Sequence, residues 1–183
     1  ADAGYGSEEN YTLLEGKNVT AYVKYGLFDK RQNRNYNSKH PFSADKLFYN
    51  ELADHYICPM GQKMRFIGNS RRKTVTGFQQ TARLYKAINC QGCPLNGVCH
   101  KSKSERIIQI NVNLERQKKH ADELLKSEEG IEKRKKRCFD VEPVFGNIKG
   151  NHGFRRFMLR GKQKVEIEWG LLAIAQNIRK RAA

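Results

Sequence analysis

The chain has 183 residues, with 35 Lys and Arg against 19 Asp and Glu and a formal net charge of +16. Aromatic residues make up 10% of it, which argues against disorder throughout, and no apolar run is long enough to cross a bilayer. The length suits one domain with an insertion, and so large a positive excess implies a polyanionic partner, nucleic acid before a membrane surface.

The charge is unevenly placed. Residues 1–57 carry seven basic against eight acidic residues, 58–110 ten against one, and 111–183 eighteen against ten. The five cysteines, an odd number with no secretory signal ahead of them, fit a reducing compartment where thiols stay free or bind metal. The sequence starts abruptly at Ala1, inside what reads as structure, so a fragment is expected.

Ala1 to Ser7 reads as a strand end, a glycine turn and a helix cap. Glu8 and Glu9 suit the positive end of the following helix, which Gly16 closes. Val19, Ala21, Val23 and Tyr25 alternate as in a strand. The result is a strand–helix–strand unit with Asp2 at the carboxyl end of its first strand, where open α/β sheets place ligands. Residues 28–46 read as an exposed polar loop.

From 47 to 112 the pattern turns short and β-like. Tyr56-Ile57 and Met64–Ile67 flank a hairpin turn, and Thr74–Tyr85 and Arg106–Val112 follow as strands, the last with Ile108, Ile110 and Val112 on one face. Cys90-Gln-Gly-Cys93 is a knuckle, Cys99 follows, and Cys58 could fold back as a fourth thiolate of a tetrahedral Zn²⁺ site, with His100 as a substitute ligand. Reduced free thiols are the alternative. Cys138 reads as a small core residue.

After Asn113 the chain turns helical. Leu114, Ala121, Leu124 and Leu125 share a face, and Ser127-Glu-Glu repeats the cap-plus-acids pattern before a helix beginning near Ile131. Val141, Val144, Phe145 and Ile148 recur at helical spacing, with Glu142, Gly146 and Lys149 on a neighbouring stripe. Pro143 either starts a fresh helical segment there or kinks a continuous one. No acid occurs from Pro143 to Val165, while Lys149, Arg155, Arg156, Arg160, Lys162 and Lys164 do. One carboxylate beside a basic surface suits a metal ion working on a phosphate backbone, although a solvated charged helix edge gives the same pattern. In the final helix, from about Lys164 to Arg181, Ile167, Leu171, Ile174 and Ile178 form a stripe that is expected to be buried, either in this domain or against missing sequence.

Six segments occur in one order: Asp2-Ala-Gly-Tyr-Gly-Ser-Glu-Glu-Asn10, Cys58-Pro-Met-Gly, Cys90-x₂-Cys93-Pro-Leu, Val141-Glu-Pro-Val-Phe-Gly-Asn-Ile-Lys149, Gly153-Phe-Arg-Arg-Phe-x-Leu-Arg-Gly161 and Ala175-x-Asn177. In this the chain resembles the C-terminal portion of a bacterial insertion-sequence transposase with a DDE catalytic domain, in the branch with a cysteine-bearing insertion before the catalytic Glu.

The resemblance implies an α/β (α+β) chain: part of an RNase-H-like core, a β-rich insertion and C-terminal helices. The boundaries are 1–46 for the strand–helix–strand part, 47–112 for the insertion and 113–183 for the helical part. It also implies two Mg²⁺ (or Mn²⁺) ions held by an Asp, Asp, Glu triad. Asp2 matches the second Asp and Glu142 the Glu, while the first Asp belongs upstream of Asp2, so this piece is expected to be inactive alone. Lys149 matches the family's Lys seven residues after the Glu. Arg137 matches its preceding Arg at a spacing of five, where related branches often show four. Arg155, Arg156 and Arg160 are expected on DNA phosphates. The implied activity is cutting DNA at transposon ends and joining the 3′-hydroxyl to target DNA. The implied partners are DNA, the missing N-terminal part of the same protein and a second copy on the DNA ends, in a bacterial cytoplasm at the nucleoid. A zinc-stabilised nucleic-acid-binding module without catalysis, or a decayed fragment, is the rival reading.

Overall fold

The computed structural model describes residues 1–140 and 142–182. The chain forms two compact units, Ala1–Leu125 and Lys126–Ala183. Val141 lies outside the described residues, and with it the expectation placed on that side chain.

In the first unit, helix α1 (Glu8–Gly16) starts where the sequence indicates. The Ser7 hydroxyl accepts the Asn10 N–H at 3.2 Å, satisfying a donor the helix cannot pair internally. Around α1 the chain pairs with itself: the Ala1 nitrogen donates to the Tyr22 carbonyl, and the Lys24 N–H donates to the Ala1 carbonyl. Bonds to residues on either side of Val23 are the parallel pattern, so residues 1–2 and 22–24 are the ends of a strand–helix–strand crossover. The expected strand through Val19–Tyr25 is reduced to this pairing, because residues 19–25 carry no regular ladder. The segment after it is not a bare loop. It contains helices α2 (Phe28–Arg31) and α3 (Arg34–Lys39). Phe28 is 1% exposed and meets Tyr25 edge-on, anchoring a stretch whose composition is otherwise polar.

The core here is Tyr11, Val23, Tyr25, Phe28, Ala121 and Leu125. The Tyr11 hydroxyl donates to the Val23 carbonyl at 3.0 Å, and Tyr25 donates to Asp122 at 2.9 Å. Both phenols are thus buried with a partner. Ala121 and Leu125 come from helix α4 (Val112–Lys126), whose first turn is capped by the Asn111 side chain accepting the Leu114 N–H. That cap ends the strand two residues earlier than expected. Val112 opens the helix, over half exposed, and does not continue the apolar face of Ile108 and Ile110.

The insertion is an antiparallel meander of five strands, β1 (Tyr49–Asn50), β2 (His55–Ile57), β3 (Lys63–Lys73), β4 (Gln79–Ala87) and β5 (Ile107–Ile110), in that spatial order. Thr74–Phe78 forms the β3–β4 turn, so β4 begins later than the alternation indicates. Met64, Tyr85, Ala87 and Ile108 make a second small core. Asp54, at a positive φ of 44° between β1 and β2, ties this sheet together. It accepts the hydroxyls of Tyr49 at 2.8 Å and Tyr85 at 2.7 Å, and pairs with Arg83.

Two acids of α1 join the insertion to the crossover. Glu8, 5% exposed, accepts the side-chain amides of Asn111 and Asn113, the latter at 3.0 Å. Glu9 accepts the hydroxyls of Thr76 at 2.6 Å and Thr74 at 3.3 Å, from the tip of the β3–β4 hairpin.

The second unit contains helix α5 (Glu128–Asp140), which starts three residues before the expected Ile131 and is capped by Ser127, then helix α6 (Glu142–Gly146), a π-helical turn (Asn147–Asn151) and helix α7 (Lys162–Ala182). Pro143 falls in the first turn of α6, where a missing N–H costs nothing. Phe145 stacks on Trp169 with ring centres 5.9 Å apart, and Ile148 is 3% exposed. Glu168 caps the Met158 and Leu159 N–H groups. The described residues do not cover the α7 stripe, so of the two expected covers burial in this domain is the one not found: Ile167, Leu171, Ile174 and Ile178 are all more than half exposed. Cys138 is likewise exposed and not a core residue. No helix among the described residues is long and apolar enough to cross a membrane.

The hydrogen bond from Tyr85, then those from Tyr49 and Arg83, lower the Asp54 pKa. A carboxyl depressed in the folded state stabilises it above the unfolded value of about 3.9 and loses that contribution as pH falls through the folded value. Urea titrations from neutral pH downward should therefore show an acid-side loss of stability that Asp54→Asn flattens. An unchanged acid slope in the variant would refute this role.

Candidate functional site

Asp2 sits on the carboxyl side of the Ala1 pairing, immediately before α1. Its Oδ1 accepts the Ala3 N–H at 2.8 Å, and its carbonyl accepts the Tyr5 N–H, closing the 3₁₀ turn Ala3–Tyr5. The residue is exposed. Gly6 fixes this turn against the second strand. A β-carbon there would lie 2.4 Å from the Lys24 carbonyl oxygen and 2.6 Å from the Tyr25 Cα, so only glycine allows the two backbones to meet. The glycine turn seen in the sequence is thus a close backbone contact, which holds Asp2 at the edge of the crossover.

Glu142 belongs to the second unit, at the start of α6. Its Oε1 is 3.9 Å from Arg137 Nε, on the last turn of α5, and its side chain is 58% exposed. Arg137 therefore faces the carboxylate despite the unusual spacing. Exposure and distance make this a weak attraction, worth about 0–1 kcal/mol, so its use is orientation more than stability. Lys149 lies in the π turn, with Nζ 6.0 Å from the centre of the Phe145 ring. A π turn is wider than an α turn, so the stripe of Glu142, Gly146 and Lys149 drawn at α spacing is rotated before it reaches the lysine. Arg155, Arg156 and Arg160 are exposed in the segment leading to α7. Among the described residues no three or more His, Cys, Asp or Glu side chains gather as a metal-binding group.

The cysteines converge differently. Cys58, Cys90, Cys93 and Cys99 line one cavity of about 20 Å³, with His100 and Arg106 on its wall. That volume holds about one water-sized sphere. The thiols share a wall without forming a coordination shell. Hydrogen-bond donors point at three of them: the Gln62 N–H at Cys58 Sγ, the Arg106 N–H at Cys90 Sγ, and the Arg106 guanidinium at Cys99 Sγ, at 3.3, 3.4 and 2.9 Å. Arg106 is 8% exposed and, among the described residues, has no carboxylate partner. His100 Nδ1 is buried with no hydrogen-bond partner. Neither Arg106 nor the joining role of Glu8 and Glu9 is visible in the sequence. Arg106 is one arginine in a basic region, and the two acids look like ordinary first-turn residues.

Gly6→Ala should move the Asp2 turn and cost roughly 1–3 kcal/mol of stability in denaturant titration, as overpacking does. A variant as stable as the parent would show that the close contact is not required.

A family model described as a transposase DDE domain matches residues 57–182, more than two thirds of the chain. The matched residues include the cysteines, Glu142, Lys149 and the basic segment. Asp2 lies ahead of them. No curated protein and no solved structure matches the chain. A DDE domain is RNase-H-like, which the mixed helices and sheet agree with; it has DNA as its partner and uses divalent metal ions in general. On the match that takes in most of the insertion and nearly all of the helical residues after it, the chain belongs to the transposase DDE domain family.

Proposed function

We propose that this chain supplies two of the three catalytic carboxylates of a DDE transposase, Asp2 and Glu142, and that the protein cuts DNA at transposon ends and joins the 3′-hydroxyl to target DNA. The observation that carries the reading is Glu142 itself. It falls within the matched residues, opens α6 beside Arg137, and precedes a segment rich in cations and free of acid as far as Val165.

Asp2 and Glu142 offer hard, exposed oxygens, the donor type that Mg²⁺ or Mn²⁺ takes, and a first Asp from an earlier strand would complete the set. Divalent ions bound there would stabilise the attacking and leaving oxygens of an in-line displacement at phosphorus by water or a 3′-hydroxyl. Arg137 orients Glu142. Lys149, Arg155, Arg156 and Arg160 hold phosphates and fix the scissile bond, while contributing no sequence readout by phosphate contact alone. Two copies on paired DNA ends complete the proposal.

The test needs an Asp-bearing upstream segment joined to this chain. Cleavage of end-containing duplex is expected with Mg²⁺, and Glu142→Gln should lower it at least 100-fold, since the amide removes the ligand charge. A Gln variant that cleaves as well as its parent would remove the catalytic assignment and leave the binding-module rival standing.

The second part of the proposal is a structural zinc held by Cys58, Cys90, Cys93 and Cys99. It is supported by their common cavity of ion-like size and by the buried Arg106 cation, whose missing counter-charge thiolates would provide. A zinc ion there would take the four sulfurs at about 2.3 Å. Protein purified without chelator should carry one zinc per chain, lose it in Cys93→Ser, and show an intense charge-transfer band when cobalt replaces zinc. Metal-free protein with unchanged thermal stability would reject the site.

A further inference from the structure

The hairpin of β3 and β4 is longer than its sheet requires. β2 pairs only with Lys63–Arg65, and β5 only with Arg83–Lys86. Beyond those partners, Ser70–Ala82 runs on as a two-stranded ribbon with no third strand. At about 3.3 Å per residue its four-residue outer strand, Ser70–Lys73, reaches roughly 13 Å past the last residue paired to β5. Isolated ribbons are marginal in water, so this length is not explained by burial.

The ribbon's side chains are of one kind. No acid occurs anywhere from Tyr56 to Ser104. Arg71, Arg72 and Lys73 are exposed and, among the described residues, have no carboxylate partner. Asn69, Gln79, Gln80 and Thr81 lie between or opposite them. Register decides how they are presented. Ile67 is an extra residue between the pairs Phe66–Tyr85 and Gly68–Leu84, which resets the alternation of β3. Arg71 and Lys73 then share a face with Arg83, and Arg72 takes the other. Cations on both faces suit a groove with a phosphate wall on either side, and a two-stranded ribbon is narrow enough for a major groove about 12 Å wide.

The tip is not left free. Thr74 and Thr76 are hydrogen-bonded to Glu9, in the first turn of the helix that begins six residues after Asp2. The ribbon is therefore held in one position, with its far end beside the Asp2 turn. Pre-ordering of this kind lowers the entropy lost on binding.

We propose that this ribbon is a DNA-binding arm, which grips the duplex backbone through Arg71, Arg72 and Lys73 and is pinned by Glu9 so that the bound duplex passes the Asp2 turn. The transposase reading contributes only the identity of the polyanion; residues and geometry come from the arm.

The experiment uses the whole chain and a fluorescent duplex, with anisotropy measured across a KCl series. Changing Arg71, Arg72 and Lys73 together to Ser should weaken binding at least tenfold at low salt. It should also make the slope of log K against log salt shallower by roughly 2–3, since each phosphate contact contributes about 0.9. Thr74→Val with Thr76→Val removes the pin without changing charge. It should weaken binding severalfold at an unchanged slope. Denaturant titrations should show both variants fully folded under the binding conditions, excluding unfolding as the cause. A triple variant with the parent's slope would overturn the arm, and a double Val variant with the parent's affinity would overturn the pin. Arm-dependent binding in a protein whose Glu142→Gln variant still cleaves would leave this inference standing and remove the catalytic one.

Discussion

Two adjacent carboxylates in the first turn of one helix hold the first unit together. Glu8 and Glu9 point toward different parts of the insertion, one to its last strand and the start of α4, the other to its hairpin tip. Both sit where the helix dipole already favours negative charge, worth about 0.3–1 kcal/mol at an exposed end. Glu8 is almost fully buried, and its amide donors replace the water it gives up. Removing it would leave two amides without their acceptor between the crossover and the sheet. The insertion is thereby fixed to the helix that follows the Asp2 turn, and through it a basic ribbon becomes part of the surroundings of that turn.

Charge is separated along the chain with a purpose that packing does not explain. Acids in the first unit are engaged in structure: Asp54 in the sheet, Glu8 and Glu9 between elements, Glu15 with Arg116. The cations of the ribbon and of 149–160 are mostly left facing solvent. A surface built this way repels itself and is retained when a polyanion is its counterpart. In the second unit the aromatic cluster of Phe145, Phe157 and Trp169 keeps α6 and the π turn on α7, so that Glu142 and Lys149 stand on a packed base.

What could be read in advance follows from range. Local signals were legible: the Ser7 and Ser127 caps, the β2–β3 turn, and the apolar face of α4 formed by Ala121 and Leu125. Cysteine spacing marked the Cys90–Cys93 knuckle but left Cys58 and Cys99 alone; all four line one cavity. Contacts between short polar side chains were not legible, because Glu9 and Thr76 are 67 positions apart and neither residue advertises the other. Phe28 was hidden by polar neighbours, and Val112 by accidental alternation with Ile108 and Ile110. The Asn111 cap was present in the sequence and decides that boundary. The π turn after Gly146 leaves no mark in an apolar pattern read at α spacing. The exposed α7 stripe shows that periodicity identifies an apolar face without saying what covers it.

The extra residue at Ile67 has a consequence for how such a protein can change over time. It divides the hairpin into a half whose side chains fill the sheet's core and a half that faces water, and it absorbs the twist between them. Insertions or deletions beyond Gly68 leave the packing of Met64 and Tyr85 untouched. Because alternation has a period of two, the ribbon can lengthen or shorten by matched pairs in both strands while each cation keeps its face. An odd step would send Arg71 and Lys73 to the opposite side. Facing thus survives paired changes of length, while reach is held by the Glu9 contacts at the tip.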